Sequence, residues 1–182
     1  DNIFTRMRII TGKYKGRHFD IPRTFKARPT TDFAKENIFN VLNGYVDFDG
    51  ASALDLFAGT GSISLEMLSR GCAPVISVEG DRDHSAFISQ CMKKIGTTDN
   101  ILIRGDVFRF LKKCHETFDF IFADPPYALD NLATIPSLIF EHELLKPDGV
   151  FVLEHGKNYD FSEEPHFVEH RSYGSVNFSL FK

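Results

Sequence analysis

The sequence predicts an α/β fold: a mostly parallel seven-stranded sheet with helices on both faces, a closing C-terminal antiparallel hairpin and a small N-terminal β-hairpin extension. Three observations predict it. From residue 51 short apolar runs alternate with longer runs of helical period, and only a few residues connect them. The alternation stops near the end, where two strand-like runs meet at Tyr173-Gly174-Ser175.

Met7 to Thr11 and Arg17 to Ile21 flank the turn-like Gly12-Lys13-Tyr14-Lys15-Gly16 and form the expected first hairpin; the six residues before Met7 play no part in it. After Arg28-Pro29-Thr30-Thr31-Asp32, apolar Ala34, Ile38, Val41 and Leu42 recur at helical spacing up to Gly44, with Asp32 as the expected N-cap. Strands are then expected at Ala53 to Phe57, Pro74 to Val78, Ile101 to Ile103, Phe118 to Ala123 and Val150 to Leu153. Helices are expected at Ser62 to Arg70, Arg82 to Ile95, Val107 to His115 and Leu129 to Leu145. His166 to Tyr173 and Ser175 to Phe181 make the closing hairpin. His166 and His170 would share a helix face, but on a strand they lie about 13 Å apart, so no metal site is expected there.

At 182 residues and 42% hydrophobic content the chain fits one compact unit, in which residues 1–50 form a basic hairpin-and-helix extension and residues 51–182 the core. No apolar run approaches the roughly 18 residues of a membrane span and no secretory leader opens the chain, which predicts a cytoplasmic protein, expected as a monomer. Cys72, Cys91 and Cys114 are far apart and form no CxxC pair, arguing against zinc and against a disulfide framework. The net charge of -4 is unevenly spread: residues 1–35 hold nine Lys and Arg against three Asp, a balance of +6, leaving -10 for the remainder. A basic arm on an acidic body would draw a phosphate backbone to the arm, although an ordinary solvated hairpin has the same charge.

Asp55-Leu56-Phe57-Ala58-Gly59-Thr60-Gly61-Ser62 ends the first parallel strand and opens a helix. Its glycines let the backbone approach a ligand, and the helix start offers free amide donors. A lone GxG is weak. Here Asp55 precedes it and Glu79 follows 24 residues after that acid, at the end of the next strand, where a ribose-gripping carboxylate belongs. A nicotinamide-binding loop wants a third glycine three residues after Gly61, and Ser64 stands there. Asp106 and Val107 follow the third strand; Asp106 is placed for an adenine amino group, although an acid there alone is more often an ordinary helix N-cap.

Asp124-Pro125-Pro126-Tyr127 follows the strand Phe118 to Ala123, at the carboxyl edge of the sheet beside the glycine loop. The prolines fix the backbone and remove two amide donors, leaving carbonyls and a rigidly placed carboxylate. Asp124 and the Pro125 carbonyl can each accept one N–H of an exocyclic amine, turning the nitrogen lone pair toward a methyl donor, and Tyr127 offers a face for a flipped-out base.

D-x-F-x-G-x-G followed by D-P-P-Y resembles the class I amino-methyltransferases, with their Rossmann-like fold. Met7-Arg8-Ile9-Ile10-Thr11-Gly12, Lys15-Gly16-Arg17, Arg28-Pro29-Thr30-Thr31-Asp32 and Phe57 to Ser62 more narrowly resemble the bacterial 16S rRNA guanine-N2 methyltransferase family, named for guanine 966. The resemblance runs from about Met7 to the final hairpin. It implies S-adenosylmethionine as cofactor, held by Asp55, Phe57, Gly59, Gly61, Glu79, Asp106 and Val107, with the base held at Asp124, Pro125, Pro126 and Tyr127. It also implies 16S rRNA or the small ribosomal subunit as partner; from the charge of the arm, Lys13, Lys15, Arg17 and Arg28 are the candidates to meet it, and Arg28 could equally shape the cofactor pocket or be a plain surface residue. The mechanism so implied is direct transfer to nitrogen with neither metal nor covalent intermediate.

Rival readings are methylation of another amine, nicotinamide redox chemistry, and noncatalytic RNA binding. Only about 45 residues precede the core, little room for a DNA-recognition domain, and the enzymes that modify protein glutamine resemble N-P-P-Y. Ser64 argues against a nicotinamide, and intact Asp124 and Tyr127 argue for catalysis.

Overall fold

The computed structural model describes residues 4–27 and 29–182, so Arg28, a candidate RNA contact, lies outside the described residues. Strands β1 (Phe4–Arg8) and β2 (His18–Pro22) pair antiparallel, with Met7 opposite Phe19. The first strand thus lies three residues earlier than expected and uses residues before Met7. The reason is a competing acceptor: Ile9 still bonds Arg17 across the hairpin, but the amides of Ile10 and Thr11 turn to the Glu66 carboxylate, at 2.8 and 3.1 Å.

Helix α1 (Asp32–Leu42) is capped by Thr31, whose hydroxyl accepts the Ala34 amide at 3.2 Å, rather than by Asp32. Asp32 instead opens the helix, where its charge suits the dipole, and pairs with Arg8 at 3.1 Å. There follow β3 (Ala53–Leu56), α2 (Ser62–Ser69), β4 (Val75–Glu79), α3 (Arg82–Ile95), β5 (Asn100–Arg104), α4 (Val107–Lys113) and β6 (Phe118–Ala123). In α3 the periodicity is plain: Ile88, Cys91, Met92 and Ile95 are buried, Asp81 caps the start, and left-handed Gly96 ends it. The expected helix from Leu129 to Leu145 is broken into a 3-10 turn, Leu132–Thr134, and a short α5 (Ile135–Glu141). Pro136, in the first turn of α5, has no amide to continue an earlier helix. Strand β7 (Leu145–His155) is longer than expected, and β8 (Phe167–Tyr173) and β9 (Val176–Phe181) close the sheet.

The seven-stranded sheet has the order β5-β4-β3-β6-β7-β9-β8, parallel from β5 to β7 and antiparallel in the last two pairs. Alternation along β6 divides the core: Phe120 and Phe122 pack with α1, α2 and the hairpin residues Met7, Phe19 and Ile21, while Ile121 and Ala123 pack under α5. Strand order reverses between β3 and β6, the switch point at which sheets of this kind open a ligand crevice. No helix among the described residues is long and apolar enough to cross a membrane.

Of the basic residues counted in the arm, Lys35 is not at the surface. Its ammonium is buried, bonding the Arg8 carbonyl at 2.6 Å and the Ser62 hydroxyl at 3.0 Å, 3.7 Å from Glu66. Burial lowers its affinity for the proton, and Glu66 opposes that effect. His166 precedes β8 and stacks on Phe140, while the His170 ring bonds Asn177.

Candidate active site

The ends of β3, β4 and β6 surround a cleft of about 690 Å³. Its lining includes Asp55, Phe57, Gly59, Glu79, Asp124, Pro125, Pro126 and Tyr127 of the residues singled out in the sequence.

The loop after β3 turns through Phe57, Gly59 and Gly61, all at positive φ. Gly61 must lack a side chain twice over: its φ is +83°, and a Cβ there would lie 3.1 Å from Ile88. It shapes the turn and does not line the cleft. As the N-cap of α2 it provides no side-chain acceptor, so the helix starts without a side-chain cap. Asp55 is buried and accepts the Ser64 hydroxyl at 2.6 Å; Ser64 in turn meets Ser77, which Asn100 bonds. Burial pushes the Asp55 carboxyl up to about 7, against the hydrogen bonds from Ser64.

Glu79 ends β4 with both oxygens oriented by backbone: Oε1 accepts the Gly59 amide at 2.7 Å and Oε2 the Asp81 amide at 2.8 Å. A carboxylate so held keeps lone pairs for further donors. His84 stands 3.8 Å from it, with the Phe25 ring edge-on to the imidazole. The chain between the hairpin and α1 roofs this part of the cleft through Lys26, Ala27, Pro29 and Thr30, with the Ala27 methyl 3.4 Å from where a Gly59 Cβ would be. Asp106 and Val107 are placed beside the cleft rather than in its lining. Asp106 accepts the Arg109 amide at 2.9 Å as the cap of α4, Val107 is buried, and Phe108 meets the Phe57 ring edge-on.

At the end of β6 the Asp124 amide bonds Leu56 of β3 at 3.3 Å, and Leu129 closes a turn onto Pro126. Tyr127 keeps 45% of its surface exposed and lines the cleft. Its hydroxyl donates to Glu154 at 3.1 Å. Glu154 is the residue that sequence reasoning missed. It stands on β7, one step beyond the pair Ala123 and Leu153, which sets it beside Asp124, and it is 7% exposed. Thr30 donates to its other oxygen at 3.4 Å, and the strand register sets Asp124 beside it. Burial, then the charge and hydrogen bond of Glu154, hold the Asp124 carboxyl well above the usual carboxylate range. Burial also raises Glu154, while its bonds from Asp124, Tyr127 and Thr30 pull it back. Burial followed by these two acids pushes the Tyr127 phenol up.

Lys13, Lys15 and Arg17 are exposed but lie at the other end of α2, where Lys13 and Tyr14 bond Ser69. Eight helical residues, about 12 Å, separate that end from the glycine loop. The Arg17 guanidinium bonds the Lys94 carbonyl at 2.9 Å.

A family model described as conserved hypothetical protein 95 matches residues 7–182. The chain belongs to this family. Two relatives of this family member are a Bacillus subtilis protein, YlbH, provisionally named an rRNA methyltransferase, and the ribosomal RNA small subunit methyltransferase D of Haemophilus influenzae. The first is 35% identical, covering 97% of this chain and 98% of its own length; the second is 29% identical, covering 97% and 93%. The solved structure of Thermus thermophilus hypothetical protein TTHA0928 matches with a TM-score of 0.85 at 27% identity, over 97% of this chain and 99% of that one. A T. thermophilus 16S rRNA N2 G1207 methyltransferase, solved with AdoMet and guanosine, shares the fold at a TM-score of 0.73 and 18% identity, over 98% of this chain and 50% of its own.

Proposed function

We propose that the chain is an rRNA methyltransferase that moves a methyl group from S-adenosylmethionine to the exocyclic N2 of a guanine in small-subunit ribosomal RNA, with guanine 966 the expected position. The observation that carries this reading is a single cleft at the switch point that joins the glycine loop and Glu79 to the Asp124–Tyr127 turn. The relatives named as rRNA methyltransferases support the coarser statement, and the D-P-P-Y turn supports an amine as acceptor.

The residues present fit the cofactor. Glu79, fixed by two amides, has lone pairs for ribose hydroxyls, the side-chain-uncapped start of α2 offers donors, and Phe57 gives an apolar wall. Bound there, S-adenosylmethionine supplies an activated methyl group. The chain's own contribution is positional and electrostatic. Tyr127 presents a ring on which an unstacked base can lie, and Asp124 with the Pro125 carbonyl can hold the two amine hydrogens. In this reading residues 51–182 carry the chemistry, while Lys26, Ala27, Pro29 and Thr30 of the N-terminal extension roof the cleft and its hairpin presents Lys13, Lys15 and Arg17 to the RNA.

The test is to incubate the protein with labelled S-adenosylmethionine and unmodified ribosomal RNA or small subunits, then map the product by mass spectrometry. Label on guanine N2 is expected, and the Asp124→Ala variant should lose it while keeping cofactor affinity within a few fold. Label on another amine overturns the guanine assignment, and no label on RNA overturns the function.

A further inference from the structure

Glu154 has no part in the reading above, although two residues that line the cleft, Thr30 and Tyr127, donate to it. It is a nearly fully buried acid at the end of an apolar strand, and three residues from two separate segments reach it: Thr30 before α1, and Asp124 and Tyr127 in the turn after β6. Two carboxyl groups set side by side in a buried site disfavour holding both charges at once, and one proton between them relieves the repulsion. The two hydroxyls donating to Glu154 favour its anion and leave the proton on Asp124, which Asp55 on β3 also disfavours as an anion. A protonated Asp124 can still accept an amine N–H on its carbonyl oxygen.

From this geometry we infer that Glu154 is the positioning residue that makes Asp124 a proton acceptor, taking the Asp124 proton as the amine loses its own. The inference rests on the methyltransferase reading. The nitrogen lone pair forms the new C–N bond, and the electron pair of the broken C–S bond stays on sulfur. One N–H proton passes to Asp124 while the proton already there passes to Glu154. The pair goes from one proton to two, and the second leaves to solvent when product departs. Without Glu154, Asp124 starts neutral in a buried site with nowhere to pass its proton, or ionised with no second acceptor to relay the incoming proton onward. Among the described residues, the titratable groups facing the pair are Asp55 and Tyr127.

The experiment uses Glu154→Gln, which keeps the shape and removes the charge, with Glu154→Asp as the conservative partner. Carboxyl carbons are followed by 13C NMR through a pH titration, with the Asp124 signal assigned by its loss in Asp124→Asn. Removing the neighbouring anion should lower the Asp124 midpoint in Glu154→Gln by at least about one pH unit. In RNA methylation, Glu154→Gln should lower kcat by at least about tenfold with KM within about threefold, and Glu154→Asp should restore part of the loss. Calorimetry should find cofactor affinity unchanged, which also establishes that the variant is folded. An unmoved Asp124 midpoint overturns the coupling, and a Glu154→Gln enzyme within twofold of the parent kcat overturns the proton role alone. A parent with the coupled titration but no methylation of RNA overturns that role together with the functional reading.

Discussion

The Glu66 carboxylate accepts the Ile10 amide at 2.8 Å across 56 residues of chain, and through this contact α2 holds the N-terminal hairpin against the core. The same group accepts Thr11, pairs with Arg70 at 3.0 Å and faces the buried Lys35 ammonium. Glu66→Ala would leave two amides without their acceptor and two buried cations without their counter-ion. Breaking a buried ion pair from one side costs about 3–5 kcal/mol, and a loss of that size is expected in urea unfolding. Hydrogen exchange at Ile10 and Thr11 should accelerate with it; a loss below about 1 kcal/mol with both amides still protected would refute the clasp.

Asp55 sets a pH dependence whose sign can be worked out. Its folded-state value, about 7, lies above the usual 3.8 of the unfolded chain, so folding favours the neutral form. The contribution is complete below about pH 3.8 and is lost as pH rises through about 7. Asp55→Asn can still accept the Ser64 hydroxyl but never ionises. Between pH 4 and pH 8 the parent should therefore lose stability relative to Asp55→Asn, by as much as ~4 kcal/mol for a shift of about three units. Parallel urea curves for the two proteins across that range would mean Asp55 is not titrating there.

What was legible in the sequence follows from how local each cause is. Helix α3 could be read residue by residue because its cap, apolar stripe and closing glycine all lie in one stretch. Asp124 and Tyr127 were legible because two prolines leave a chain few conformations. Elsewhere a distant residue decides. Ile10 and Thr11 look like strand, yet a carboxylate on another element takes their amides. Leu132, Ile135 and Ile139 keep helical spacing across a break whose one local sign is the position of Pro136. Glu154 ends an apolar strand as any surface acid would, and its partners are 27 and 124 residues away. Its one signal was an acid level with Asp124 on the next parallel strand, visible only once strand order is known.

The cofactor assignment turns on Glu79. Glu79→Ala removes the proposed acceptor for the ribose and also frees the Gly59 and Asp81 amides it orients. A loss of about 1–3 kcal/mol in S-adenosylmethionine binding is expected, the range for polar groups left unpaired. Calorimetry finding the parent affinity in this variant would move the cofactor away from β4.

The last prediction concerns RNA. The backbone from Gly12 to Tyr14 is fixed against the end of α2: Lys13 bonds the Ser69 carbonyl at 2.8 Å, Tyr14 bonds the Ser69 hydroxyl at 3.0 Å, and a Cβ on Gly12 would sit 2.0 Å from that carbonyl oxygen. Lys13 and Lys15 are thus exposed charges on an ordered loop, so an incoming phosphate backbone would have little main chain left to order. Arg17 has its guanidinium on the Lys94 carbonyl and can still turn its remaining donors outward. Each lost phosphate contact should flatten the plot of log affinity against log salt by about 0.7–0.9. A Lys13→Glu, Lys15→Glu, Arg17→Glu variant should therefore bind RNA more weakly, with a slope shallower by roughly 2 to 3 if all three residues meet phosphates. Cofactor affinity should be unchanged, because the loop and the glycine turn occupy opposite ends of α2. If RNA affinity and its salt slope match the parent, the loop is ordinary solvated surface and the RNA must be gripped from the cleft side alone.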